Sequence, residues 1–298
     1  MNGFLRHPYE FGGETDWTKI WGPVRNVYMG RKLGINNIDT TIFATHPING
    51  DIYKYNSPNN WTKIGGPGSM FSAGEDTLYG VSPDKSGVYQ WMGTSANPNQ
   101  WIQIGGLADK IFANGNTVYA TNPTTGDIYR YNGVPLSWTK IGGPGSTFAT
   151  TANPNLIIGL SPDKSGVHQW TGTLDHPNQW KSIGGPAGSI YAGDTFYATN
   201  PTNGDIYRYN GVPLSWTKIG GPGSMFATSD STLGVIYGLS PDKSGVYQWT
   251  GTSVNPNQWI QIGGPAGSIY AGGTNLCATD LRTGDLYCKF SFLRPHLH

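Results

Sequence analysis

Charge is what this chain has least of. Aspartate, glutamate, lysine and arginine make up 12% of its 298 residues, against roughly 25% in an ordinary domain. The formal net charge is +1 and no basic run stands out, which excludes the electrostatic footprint of a nucleic-acid binder or of a protein drawn to an anionic membrane. A neutral partner is expected. Glutamate is confined to Glu10, Glu14 and Glu75, none of them in a repeated motif, and the six histidines are scattered, with His296 and His298 at the end. Glycoside hydrolysis needs two carboxylates in unlike environments around one point, and a metal centre needs ligands at fixed spacing. Neither pattern is present, so no enzyme, no metal and no cofactor are expected. No stretch is long and apolar enough to span a membrane, and the opening residues Met1 to Tyr9 lack the apolar core of a signal peptide. The expectation is a cytoplasmic protein, or one released without a recognisable signal, that does not insert into membranes. Apolar residues nowhere recur at helical spacing, so almost no helix is expected. Cysteine is reduced to Cys277 and Cys288, which flank a predicted hairpin turn. Two readings of them are open: a disulfide across two strands, or two thiols left reduced.

What the chain does have is repetition. Trp-x-x-Ile opens at Trp17, Trp61, Trp101, Trp138, Trp180, Trp216 and Trp259, at a period of about forty residues. Between these openings lie short aromatic and β-branched runs set off by turns, which accounts for the excess of glycine (44) and proline (21). Length alone would suggest about two domains. A ring of small sheets overrides that, since each sheet buries its faces only against its neighbours. The stretch Trp61 to Gln100 predicts one module: an innermost strand over Gly68 to Gly74, a second over Thr77 to Ser82, a third over Gly87 to Trp91, and a fourth beginning at Trp101.

Trp17 then begins a fourth strand with no sheet before it, and the last sheet has three strands, around Ser268, Asn275 and Asp285, and no fourth. Pairing the two ends removes two exposed sheet edges. The prediction is an all-β, seven-bladed β-propeller of four-stranded antiparallel blades. Its ring is closed by the N-terminal strand, in one domain over 1–298, with an extension over 1–16, repeats over 17–290 and a tail over 291–298.

A longer period overlies the first. Blades after Trp61, Trp138 and Trp216 carry S-P-D-K-S-G-V-(Y/H)-Q-W; those after Trp101 and Trp180 carry T-N-P-T-(T/N)-G-D-I-Y-R-Y-N-G-V-P-L-S-W, and looser versions follow Trp17 and Trp259. The copied unit is a pair of blades. An odd number of blades sets two of the second type side by side at the closure, where Trp21, Arg31 and Lys32 depart from the pattern.

W-x-x-I-G-G, a small-residue strand, then G-D-I-Y-R-Y-N-G or S-G-V-Y-Q-W, resembles the tectonin and tachylectin class of β-propeller lectins over essentially all of residues 17 to 290. The resemblance implies sugar binding in several pockets between blades. It carries over no individual contact residues, because the motif is mainly the part that builds a blade. The partners expected are glycans or glycoconjugates. The rival readings are a propeller that binds a protein or peptide and, further off, a hydrolase or lyase working in the central channel.

A pyranose has one face of C–H groups and a rim of hydroxyls, so its site needs an aromatic plane beside fixed polar groups. The first blade type offers this three times. Trp91, Trp170 and Trp249 stand two residues after Tyr89, His168 and Tyr247 and share a strand face with them. The following loops bring Asn97, Asn99 and Gln100, then Asn178 and Gln179, then Asn255, Asn257 and Gln258. These aromatics either form the platforms or pack blade against blade. As platforms they are favoured over the fourth-strand tryptophans, which recur in all seven blades as structure would. Asp84, Asp163 and Asp242, and likewise Asp51, Asp127, Asp205 and Asp285, either form a polar rim or cap tight turns. Gly65-Gly-Pro-Gly-Ser is not a phosphate cradle, since a strand follows rather than a helix.

Overall fold

The structure, a computed structural model, describes residues 16–33, 38–151, 156–229 and 235–290. The predicted extension up to residue 15 and the tail over 291–298 lie outside them. The described residues contain strands and no helix. Strand β1 (Trp17–Pro23) comes first. Blade 1 is β2 (Asn26–Leu33), β3 (Ile38–Thr45), β4 (Ile52–Ser57) and β5 (Asn60–Gly65), and blade 2 is β6 (Met70–Ala73), β7 (Leu78–Val81), β8 (Val88–Trp91) and β9 (Trp101–Gly105). Blade 3 follows as β10 (Ile111–Asn114), β11 (Thr117–Thr121), β12 (Asp127–Tyr131) and β13 (Trp138–Pro144), and blade 4 as β14 (Thr147–Thr150), β15 (Ile157–Leu160), β16 (Val167–Trp170) and β17 (Trp180–Gly184). Blade 5 is β18 (Ile190–Ala192), β19 (Phe196–Thr199), β20 (Ile206–Tyr209) and β21 (Trp216–Gly220); blade 6 is β22 (Met225–Thr228), β23 (Ile236–Leu239), β24 (Val246–Trp249) and β25 (Trp259–Gly263). Strands β26 (Ala266–Gly272), β27 (Asn275–Asp280) and β28 (Asp285–Lys289) complete blade 7 with β1, in the order β1-β28-β27-β26.

Each first strand touches the first strand of the next blade, from β2 through β6, β10, β14, β18 and β22 to β26, which touches β2 again. The ring is therefore closed at its inner wall. Glycine permits close approach there: a Cβ at Gly30 would lie 2.1 Å from the Gly74 carbonyl oxygen, one at Gly74 2.6 Å from that of Gly115, and one at Gly193 2.7 Å from that of Ser229. The core is divided into layers between blades. Phe43, Ile52 and Ile64 of blade 1 pack on Phe71, Leu78 and Trp91 of blade 2, for example, and Val81, Val88 and Ile104 of blade 2 on Ile111, Val118 and Ala120 of blade 3.

The recurring Trp-x-x-Ile links the outer strands. Each tryptophan Nε1–H donates to the carbonyl of the preceding blade's isoleucine: Trp61 to Ile20 (3.0 Å), Trp101 to Ile64 (2.6 Å), Trp138 to Ile104 (2.7 Å) and Trp180 to Ile141 (2.6 Å). Trp216 to Ile183 (2.7 Å), Trp259 to Ile219 (2.6 Å) and Trp17 to Ile262 (2.8 Å) close the cycle. The indole needs an acceptor when it is removed from water, and the isoleucine carbonyl supplies it across every blade boundary.

The two blade types differ in the turn between second and third strands. In the second type, glycine adopts the left-handed conformation the turn requires, as at Gly126 (φ 74°), and Asn122 Oδ1 accepts from the Thr124 and Thr125 amides. In the first type a lysine occupies the left-handed position: Lys85, Lys164 and Lys243 have φ of 61°, 61° and 60°. Their carbonyls accept from the amides of Ala108, Ala187 and Ala266 in the next blade, each at 3.1 Å.

Candidate functional site

Every fourth strand carries a register irregularity opposite the start of the third, as between Val88 and Tyr89 in blade 2. Past it, the first glycine of I-G-G lies beneath the next blade's tryptophan. A Cβ at Gly65 would come within 3.0 Å of Trp101 Nε1, and one at Gly220 within 2.8 Å of Trp259 Nε1. Glycine thus clears space on the flank of the indole ring, and in blades 2, 3, 5 and 6 that space is an open cavity.

In blade 2 a cavity of about 230 Å³ is lined by Phe71, Val81, Ser82, Pro83, Tyr89, Asn99 and Trp101, with Gly65 to Gly68 along one side. Blade 6 repeats it at about 250 Å³ with Phe226, Leu239, Ser240, Pro241, Tyr247 and Trp259. Gly80 is part of the same construction, since a Cβ there would meet Phe71 at 2.9 Å. Blades 3 and 5 hold a second kind. About 280 Å³ lies among Gly105, Gly106, Leu107, Thr121, Asn122, Tyr129 and Trp138, and about 290 Å³ among Gly184, Gly185, Pro186, Thr199, Asn200, Tyr207 and Trp216. These volumes fall just below the roughly 300–1,000 Å³ of pockets for drug-sized ligands, which suits one ring rather than a long chain of them.

Of the aromatics singled out in the sequence, Tyr89 and Tyr247 stand in these cavities, as does Asn99. The third-strand tryptophans do not. Trp91 and Trp170 are buried, at 7% and 2% exposure, and Trp249 is half-buried. Each indole N–H closes its own loop, donating to the carbonyl of Pro98 (2.6 Å), Pro177 (2.5 Å) or Pro256 (2.6 Å). Lys54 lies over the Trp91 ring at 5.4 Å and Arg208 over the Trp249 ring at 5.9 Å, each from the preceding blade. The expected pairs, Tyr89 with Trp91 and Tyr247 with Trp249, share a strand face as alternation requires but not an environment. The tyrosine stands at the end of the strand beside the cavity, and the tryptophan lies further along it in the inter-blade packing. Beside the cavities stand the fourth-strand tryptophans Trp101 and Trp259, whose N–H edge donates across the blade boundary while a flank of the ring lines the open space.

His168 occupies the tyrosine position in blade 4, opposite Ser182 of β17. Asn97, Asn178, Asn255 and Asn257 are exposed on the loops. The backbone N–H groups of Asn97 and Asn255 donate to Thr94 and Thr252 Oγ1 at 3.2 and 3.1 Å, which ties the backbone into the loop turn.

Asp84, Asp163 and Asp242 serve the turn. Oδ1 of each accepts from the amide two residues on, Ser86, Ser165 or Ser244, at 3.0 Å, and from that serine's hydroxyl. Hydrogen bonds to the charged form hold all three carboxyls down at about 2: from Ser82 foremost at Asp84, the Ser165 hydroxyl at Asp163 and the Ser244 amide at Asp242. The second-type aspartates are engaged differently, each with a lysine on the fourth strand: Asp51 with Lys63, Asp127 with Lys140 and Asp205 with Lys218 at 2.6 Å, and Asp285 with Lys19 at 2.5 Å. The bonded aspartate raises each lysine above its ordinary value. Among the described residues no three His, Cys, Asp or Glu side chains gather as a metal site, and no helix is long and apolar enough to cross a membrane. Cys277 and Cys288 face each other across β27 and β28 and are joined in a disulfide.

Comparison with known proteins places this geometry. Residues 7–142 match the family model of the Tectonin domain. No curated protein matches the chain in sequence. Among solved structures, YCF48 bound to D1 peptide is similar with a TM-score of 0.58 at 10% identity, over 94% of this chain and 98% of that one. The ectodomain of the Physcomitrella patens receptor kinase CR4 has a TM-score of 0.57 at 15% identity, over 88% and 72%. The CRINKLY WD40 ectodomain of the Arabidopsis thaliana receptor kinase ACR4 has 0.56 at 14%, over 87% and 92%. At such identities the likeness is one of fold.

Proposed function

Taking a tectonin-like β-propeller as the premise, we propose that the chain is a multivalent lectin that binds neutral glycans in the cavities of blades 2 and 6. The observation that carries this reading is their recurrence: a tryptophan flank, a tyrosine and a phenylalanine around glycine-cleared space of about 230 and 250 Å³. The C–H face of a pyranose stacks on Trp101 or Trp259. In blade 2 its hydroxyls meet the Asn99 amide, the Tyr89 hydroxyl and the backbone along Gly66 to Gly68. No covalent step is involved. Single sites of this size are weak, and two or more facing one glycan-covered surface add avidity.

The test is a glycan array, followed by calorimetric titration with the methyl glycoside of the best hit. Tyr89→Ala and Tyr247→Ala spare the tryptophan-to-isoleucine bonds. Each is expected to remove one bound equivalent with little change in melting temperature. An array without a hit, or undiminished stoichiometry in the double variant, rejects the reading. The rival, a propeller that binds a polypeptide, has the peptide-bound YCF48 structure as a precedent of fold. It would bind one partner once and ignore free sugars.

A further inference from the structure

One blade boundary breaks the glycine rule. Where blades 7 and 1 meet, Trp21 stands in the place that Gly65, Gly105, Gly142, Gly184, Gly220 and Gly263 hold at the other six. Its indole lies parallel to Trp61, with centroids 4.5 Å apart and planes 19° apart, and meets Tyr53 edge-on at 5.1 Å. Tyr53 and Trp61 correspond to Tyr129 and Trp138 in blade 3, and to Tyr207 and Trp216 in blade 5, the two rings that line the open cavities there. At the closure, then, the chain fills with its own aromatic ring the position left open in those two blades.

Four acceptors around the two open cavities are already engaged. Thr121 and Thr199 Oγ1 accept from the amides of Lys110 (3.1 Å) and Ser189 (2.9 Å). Asn122 and Asn200 Oδ1 each accept two amides of their own turn. Two residues from Tyr129 and Trp138, and from Tyr207 and Trp216, Asp127 pairs with Lys140 and Asp205 with Lys218 at 2.6 Å. A ligand carrying its own charge finds little to hold that charge, whereas a flat neutral ring finds what Trp21 finds. Leu107, 69% exposed at the rim of the blade 3 cavity, extends the apolar contact to whatever carries the ring.

We propose that blades 3 and 5 each take an aromatic side chain of a partner polypeptide, tryptophan above all, stacked on Trp138 or Trp216 with an edge toward Tyr129 or Tyr207. Trp21 is the built-in copy of that ligand. Two such pockets, separated by blade 4, would hold two aromatic residues of one extended partner and gain from their linkage. The inference is independent of the glycan reading, which rests on blades 2 and 6.

The test uses the full chain, ¹⁵N-labelled at its indoles, with N-acetyltryptophanamide as the probe. The signals of Trp138 and Trp216, assigned from Trp138→Phe and Trp216→Phe spectra, are expected to shift saturably, in the roughly millimolar range of a single ring. Gly105→Trp and Gly184→Trp, which copy the closure, are expected to abolish the response at their own site alone. Should either fail to fold, Trp21→Gly gives a second reading: it lowers the melting temperature, and N-acetyltryptophanamide restores part of the loss while N-acetylglycinamide does not. Silence of both indole signals, or saturable shifts with methyl glycosides and none with the acetylated amide, overturns the proposal. Loss of glycan binding in the Tyr89 and Tyr247 variants bears on the other cavities and leaves this test untouched.

Discussion

Trp138 shows how one side chain serves two purposes on different parts of its ring. Its N–H edge joins blade 3 to blade 2 at 2.7 Å, and its flank lines an open cavity. Replacing it by phenylalanine keeps a ring and loses the bond. Because Ile104 oxygen still accepts the Leu136 amide at 2.8 Å, the expected loss is only about 1 kcal/mol, read as a lower urea midpoint with an unchanged slope. Lys164 is the converse case, a side chain in a backbone conformation that glycine prefers. At φ 61°, Lys164→Gly should fold with near-unchanged stability, while Lys164→Val should lose about 1–2 kcal/mol relative to it, since branching at Cβ is worst in the left-handed region. The turn aspartates predict an acid effect. Carboxyls held at about 2 in the fold, against 3.8 ordinarily, contribute stability that is complete above pH 3.8 and lost as pH falls toward 2. Melting temperatures at pH 7, 4 and 2 should therefore drop mainly in the last interval. An Asp84→Asn, Asp163→Asn, Asp242→Asn variant should show a smaller drop there.

Strands were the most legible elements, because each short run ends at a Gly, Pro or Asn turn. The module drawn over Trp61 to Gln100 meets β6 to β9 within a residue or two. What the residues could not announce is the register irregularity in each fourth strand, a backbone event with no composition of its own, and it is this that lays a glycine beneath a neighbouring ring. Alternation likewise told which face Trp91 shares with Tyr89 but not how deep each lies. Depth is set by the adjacent blade, through Phe43 and Lys54. Nothing in D-I-Y-(K/R)-Y signals that its Lys or Arg lies over the next blade's third-strand tryptophan, as Lys54 does over Trp91 at 5.4 Å and Arg208 over Trp249 at 5.9 Å. In blade 7 the disulfide spans 11 residues of chain. On loop-closure entropy its loss costs roughly 2–3 kcal/mol, so dithiothreitol, or Cys277→Ser with Cys288→Ser, should lower the melting temperature to about the same extent.

At the scale of the molecule the prediction concerns closure. Removing residues 1–23 takes away β1, the Trp17 bond to Ile262 and the Ile20 acceptor of Trp61 together. It leaves β28 as an unpaired edge beside an open gap. The expected outcome is a melting temperature lower by roughly 10 °C or more and a tendency to associate through that edge, visible in calorimetry and size-exclusion chromatography. The ring itself was readable because a surplus fourth strand at one end matched a missing one at the other.

The register of that closing pair has a mechanical consequence. Trp17 lies opposite Lys289 and Pro23 opposite Asp285, so the chain enters β1 and leaves β28 at the same end of the pair. A pull on the ends would part its hydrogen bonds one after another, like a zip, instead of loading them all at once in shear. Beyond that seam the Cys277–Cys288 bridge anchors β28 to its inner neighbour. Under tension the seal therefore gives way between β1 and β28, and the blade behind it holds.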